Sequence, residues 1–184
     1  MSKKFFEVFP TLQLDKKLKT LLESTVVDRV TSNRAKDMLR IYLQSDHLLQ
    51  KEMIWEVEEQ ICRQLFSNHQ MEIKIQEKYV LLSQYTLENL MESYRESILL
   101  ELKKRSILEY NMLLNAECQF PEEHVLCLEF EDNIVAEGKA ESIVALLKDV
   151  FENRCHIPVD IRVSYRETKK SKMQEHNAIR LQQE

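Results

Sequence analysis

The spacing of apolar residues changes period several times along the first eighty positions. Leu14, Leu18, Leu21 and Leu22 recur at intervals that place them on one side of a short helix. Val26, Val27 and Val30 are β-branched and are followed by the polar run 31–36, after which Leu39, Ile41 and Leu43 alternate with Arg40, Tyr42 and Gln44. That pattern predicts two antiparallel strands. Asp46 then stands where a helix N-cap is expected, ahead of Ile54, Val57, Ile61 and Leu65 at spacings of three and four, so a helix is predicted from about His47 to Phe66. Met71, Ile73 and Ile75 alternate with Glu72, Lys74 and Gln76, the period of a strand with one buried face. The first unit reads strand, strand, helix, strand.

The same order returns further on. Thr86, with Asn89 three residues later, caps a helix whose apolar stripe is Leu87, Leu90, Met91, Tyr94, Ile98 and Leu102. A break near Ser106 leads to a second helical stretch carrying Leu108, Met112 and Leu113. Strands are predicted at 117–120 and 125–130, with Leu126, Leu128 and Phe130 pointing one way; Pro121 and the two glutamates after it are expected to form the turn between them. A helix bearing Ile143, Leu146, Leu147, Val150 and Phe151 precedes a strand in which Val159, Ile161, Val163 and Tyr165 alternate with polar residues. Ile161 is thereby expected to face the core, and Ile161→Asp to cost several kcal/mol, on the order of burying an unpaired charge. The predicted class is α+β, with two small sheet-plus-helix domains at 1–83 and 84–167 and a charged linker at 168–184.

Composition narrows the chemistry. Gly138 is the only glycine in 184 residues, which excludes the glycine-rich cradles of nucleotide sites. Cys62, Cys118, Cys127 and Cys155 lie too far apart in sequence for a zinc motif and read as reduced, small buried hydrophobes. No apolar run reaches the ~20 residues of a membrane helix, and residues 1–9 lack the features of a secretory leader, so a cytoplasmic protein is expected. His47, His69, His124, His156 and His176 show no carboxylate or cysteine at ligand spacing, and Glu52, Glu56, Glu58 and Glu59 read as an acidic helix surface. No serine or threonine stands in a glycine-flanked nucleophile turn. No catalytic residue, metal, cofactor or small-molecule substrate is expected.

Three features point instead to binding. Trp55 lies beside the apolar stripe of its helix and is either a core residue or an anchor for a partner protein. A net charge of -5 argues against general nucleic-acid binding, yet Lys16, Lys17 and Lys19, with other cations of the first forty residues, make a local basic stretch. The segment Ala136 to Ala140, including Glu137, Gly138 and Lys139, is expected to be a loop after a short turn at 133–135. Helix, strand, strand, short helix, loop, helix, strand resembles the type II KH arrangement, whose loop clamps nucleic-acid backbone with two glycines. One glycine and the acidic Glu137 shift the expectation towards a scaffold for protein contacts.

Phe5, Phe6, Val8 and Phe9, the stretch Leu14 to Arg34 around Thr25 to Val30, Tyr94 to Glu101, and Val163 to Glu167 together resemble the N-terminal region of the PolC-type DNA polymerase III alpha subunit of Gram-positive bacteria. The resemblance implies a non-catalytic N-terminal piece of a polymerase. An oligonucleotide-binding fold, a phosphoesterase-like domain, a proofreading exonuclease and the polymerase core would follow it. It also implies that the second domain is similar to the polymerase-binding domain of the clamp-loader tau subunit, hence contacts with replisome proteins, tau among them, and weak or absent DNA binding by this piece. The alternative expectation is a nucleic-acid-binding module that guides template or primer DNA.

Overall fold

A hairpin, a crossover helix and a parallel return strand occur twice in the chain, and each set makes one sheet. The computed structural model describes residues 2–68, 70–132 and 136–166. The elements in order are β1 (Lys3–Lys4), α1 (Phe5–Val8), α2 (Lys16–Leu22), β2 (Val26–Ser32), β3 (Met38–Ser45), α3 (Lys51–Leu65), β4 (Glu72–Tyr79), α4 (Leu87–Arg105), α5 (Ile107–Asn115), β5 (Glu117–Glu122), β6 (Val125–Glu131), α6 (Ala136–Lys148), a π-helical segment (Asp149–Arg154) continuing α6, and β7 (Asp160–Arg166). The first sheet has order β1-β2-β3-β4, the second β5-β6-β7. In both, the hairpin pairs antiparallel and the strand after the helix returns parallel, β3 with β4 and β6 with β7.

Local chemistry explains most boundaries. Asp15 accepts a hydrogen bond from the Leu18 amide at 2.7 Å and starts α2. Thr86 and Asn89 form the reciprocal capping box of α4, and Ser106 both ends α4 and caps α5 by accepting from the Glu109 amide. The apolar stripe of α4 is buried along its whole length, from Leu87 to Leu102. In β3 and β4 the inward set is Leu39, Ile41, Leu43, Ser45 and Ile73, Ile75, Glu77, Tyr79, matched pair by pair across the parallel register. The buried apolar side chains form a single cluster from Phe5 to Val159, so the core runs on past the connection at 80–86 between β4 and α4.

Four sequence expectations change. The first concerns α3, which begins at Lys51, not near His47, and has Gln50 as its cap residue. Asp46 instead accepts from Ser24 Oγ and lies beside His47. Ser97 of α4 supplies what Asp46 was expected to give: the Lys51 amide donates to its hydroxyl at 3.0 Å. Second, Pro121 lies inside β5, not in the turn, because β5 is an edge strand with a register shift between Gln119 and Glu122 where a missing N–H costs nothing; the turn falls at Glu123 and His124.

Third, Ala136 to Ala140 is the first part of α6, not a loop. Alanine, glutamate and lysine favour helix strongly enough to carry one glycine, and no glycine has a positive φ. The short turn expected at 133–135 and the linker at 168–184 fall outside the described residues. Fourth, β7 is only partly covered: Ile161 is half-buried, while Val163 and Tyr165 are each 37% exposed. Alternation identified the inward face correctly, since Ile161, Val163 and Tyr165 align with Leu126, Leu128 and Phe130. The burial lies under β6, however, and β7 is at the sheet margin.

Two stability measurements follow. Leu128→Asp should lower the unfolding free energy by about 4 kcal/mol and Ile161→Asp by only about 1 to 2 kcal/mol; equal losses in urea titrations would contradict the assigned burial. Gly138→Ala should raise stability by about 0.5 to 1 kcal/mol, because the position is helical and an added Cβ meets nothing within 4 Å. A lower melting temperature for that variant would show that Gly138 needs a conformation other than helix.

Candidate functional site

Glu77 sits on the inward face of β4, where the strand pattern puts apolar residues, and is 4% exposed. A carboxylate there requires cations, and two reach it. Lys51, the first residue of α3, places Nζ 2.7 Å from Glu77 Oε1, and Arg154, the last of the π-helical segment, places Nη1 2.9 Å from the same oxygen. Glu101 of α4 completes the group, 2.6 Å from Arg154 Nη1 and 3.5 Å from Lys51 Nζ. Asp149 holds Arg154 Nε from a third side at 2.9 Å.

Burial alone would raise the Glu101 carboxyl, but hydrogen bonds from Arg154 and the charges of Lys51 and Arg154 outweigh it and hold that carboxyl below its ordinary value. For Arg154 burial acts against the charge, and Glu101, Glu77 and Asp149 drive its pKa up regardless. Beside the cluster Tyr79 donates to the Leu49 carbonyl at 3.0 Å and meets the Tyr94 hydroxyl at 3.3 Å; burial raises both phenols. The cluster is the floor of an open cleft of about 930 Å³, whose rim includes Asp28, Arg29, Tyr42, Gln76, Lys78 and Asn153.

As chemistry this floor is quiet. Acid–base work needs a group free to exchange a proton with a substrate. Here each carboxylate is bonded to a cation and each phenol is held away from ionisation. Among the described residues no three His, Cys, Asp or Glu side chains are grouped to hold a metal.

The sequence-predicted residues are dispersed. Trp55 is half-buried and outside the apolar cluster, with Lys104 Nζ 4.4 Å from its ring centroid and Glu58, Lys74 and Arg105 nearby. It is therefore not a core residue. Lys16, Lys17 and Lys19 lie exposed on α2. Lys139 points to the buried Glu109 at 3.8 Å, which Arg105 also pairs at 3.0 Å; Gly138 is exposed, and Glu137 lies in the same first turns of α6.

Of the acidic helix surface, Glu52, Glu56 and Glu59 are exposed, whereas Glu58 accepts the Ile75 amide at 2.6 Å, and burial raises its carboxyl. His47 does have a carboxylate partner, Asp46 Oδ1 at 2.7 Å from Nδ1. Ser45 Oγ approaches the same nitrogen at 3.3 Å, and Nε2 is buried without a partner, so no relay from serine through both ring nitrogens exists. His69 and His176 fall outside the described residues. All four cysteines are free, but only Cys155 is buried, its thiol pushed up to about 12 by that burial. Sequence reasoning missed the Lys51, Glu77, Glu101 and Arg154 cluster. Its one available signal was Glu77 at an inward strand position.

Arg154→Met should cost roughly 3 kcal/mol, since it leaves two buried carboxylates to one lysine, and Lys51→Met combined with Glu77→Leu should cost clearly less than either alone. A double-mutant cycle in urea checks this. The acid limb tests the sign. Because the folded Glu101 pKa is depressed below 4.5, its contribution is complete above that value and lost as pH falls through the folded pKa. Stability should therefore drop less steeply with acid in Arg154→Met than in the parent chain.

No helix among the described residues is long and apolar enough to cross a membrane. No curated protein matches the chain. Residues 4–75, from β1 into β4, match the family described as DNA polymerase III polC-type N-terminus I.

Proposed function

We propose that the chain is a non-catalytic interaction module of a polC-type replicative polymerase and that it docks another replisome protein, the clamp-loader tau subunit being the first candidate. The observation that carries the reading is the pairing-off of the cleft. The ionisable groups of its floor are bonded to one another, so the reading assigns the domain a surface and not a reaction centre. The family match supplies the replication context.

On this reading the units at 1–83 and 84–167 act as one body, and the second is a KH-like scaffold. Its order of helix, strand, strand, helix, strand supports that likeness. The helical state of Gly138 removes the phosphate-clamping loop from the comparison and favours protein contacts. The margin of the second sheet is the surface assigned to the partner: β7 is an edge strand, and Val163 and Tyr165 remain partly open on it. Nucleotide addition and proofreading belong to other domains of the parent polymerase, in a cytoplasmic setting.

Immobilised chain should retain purified tau, and Val163→Arg should reduce retention at least ~10-fold without changing the melting temperature. No retention of tau by the parent chain, or incorporation of nucleotides into a primed template by the purified chain, would refute the proposal.

A further inference from the structure

The first sheet has a second face, and its Arg29, Tyr42, Gln76 and Lys78 also border the cleft that Asp149, Asn153 and Arg154 line. On β2, β3 and β4 the outward positions are set by the same registers that fix the core: Arg29 pairs with Tyr42, Tyr42 with Gln76, Arg40 with Lys74, and Gln44 with Lys78. Lys4 extends the face onto β1 opposite Val26. Five cations, Lys4, Arg29, Arg40, Lys74 and Lys78, thus share one sheet surface. Opposed to them are Glu72, which pairs Lys74 at 3.0 Å, Asp28 at the bulge of β2, and, within the cleft that Arg29 and Lys78 border, Asp149 and the already paired Glu77 and Glu101.

Elsewhere some cations are paired, while others, Lys16, Lys17 and Lys19 of α2 among them, have no carboxylate within ion-pair distance among the described residues. Lys51, Arg105, Lys139, Arg154, Arg162 and Arg166 all have carboxylates within ion-pair distance. Arg29, Arg40 and Lys78 are exposed and have none among the described residues; Arg29 lies flat over the Tyr42 ring instead, 4.0 Å from its centroid. A chain with net charge -5 therefore keeps a local surplus of unneutralised positive charge around one stacked guanidinium–phenol pair.

We infer that this outer face of the first sheet binds single-stranded nucleic acid, with Arg40, Lys74 and Lys78 on the phosphates and the Arg29–Tyr42 pair as the platform for a base. Charge complementarity selects a polyanion. The choice of nucleic acid over an acidic protein rests on composition: protein interfaces centre on apolar anchors and exclude charge from the middle, whereas here the middle is a guanidinium on an aromatic ring. The choice of single strand over duplex rests on the platform, which needs a base freed from its own stack. The assignment is independent of the tau proposal, because β7 and the outer face of β2, β3 and β4 are on different sheets.

The test uses the 184-residue chain and a fluorescent ~16-nucleotide oligothymidylate, read by anisotropy at about 50 mM and about 200 mM salt. Binding should be present at the lower salt and fall steeply at the higher. Arg40→Glu with Lys78→Glu should weaken it at least tenfold and flatten the salt slope by about 1.4, roughly 0.7 for each lost phosphate contact. Tyr42→Ala should weaken it roughly tenfold while leaving the slope unchanged, the mark of lost stacking.

Lys16→Glu with Lys17→Glu, on exposed α2, serves as the control and should leave affinity within about twofold, allowing for its long-range charge effect. Circular dichroism confirms that each variant is folded. No binding at the lower salt overturns the inference. So does an α2 control as weak as the sheet variant, a duplex bound as tightly as the single strand, or displacement by polyglutamate at equal charge, which would mark the face as an acidic-protein site.

Discussion

The arrangement of the two sheets depends on an exchange of charge partners at their boundary. The first half of the chain brings Lys51 and Glu77, and the second brings Glu101 and Arg154. Each half thus carries one acid and one base that already satisfy each other. Docking adds the crossed pairs, Arg154 to Glu77 and Lys51 to Glu101. Such a group is a poor source of net stability, because four charges lose most of their water. Its effect is selective: only one placement of α4 and the π-helical segment against α3 and β4 leaves no buried charge alone.

Neutral hydrogen bonds reinforce that placement at the same seam. The first amide of α3 is satisfied by Ser97 of α4, and Gln50 reaches across to the Ser93 carbonyl. Tyr79 and Tyr94 meet edge to face beneath them, their ring centroids 6.0 Å apart. The N-terminus of α3 is therefore completed only when α4 is in place, so local and long-range structure at this point form together. Above them lies the cleft, whose floor is the paired cluster of Lys51, Glu77, Glu101 and Arg154.

The hydrophobic pattern revealed the elements and their facing because burial is periodic. Every apolar residue expected on the stripe of α4 is buried, and so are Leu126, Leu128 and Phe130 of β6. The repeated order of hairpin, helix and parallel strand was legible for the same reason. Features that depend on distant residues were not. The cap of α3 comes from 46 positions away, so the nearby Asp46 was a natural but mistaken choice. Pro121 signals a turn only if its strand is not at an edge, and edge status is a property of the sheet. Trp55, half-covered by Lys104, shows the same limit for side chains whose partner is on another helix. The charge cluster was invisible because Lys51, Glu77, Glu101 and Arg154 have no common spacing.

Strand β4 connects assembly and surface. Its inward residues, Ile75, Glu77 and Tyr79, build the core and lock the halves, while its outward residues, Lys74, Gln76 and Lys78, extend the cationic face. Because side chains alternate sides with a period of two, a slip of one residue against β3 would bury Lys78 and expose Glu77. Both consequences are unfavourable, the first by placing a lysine beside Arg154 and the second by leaving Lys51 and Arg154 to share Glu101. The ion cluster inside therefore fixes the register that displays the cations outside. A row of cations can persist on one sheet face of an acidic protein in this way, its register held by carboxylates on the opposite side of the same strand.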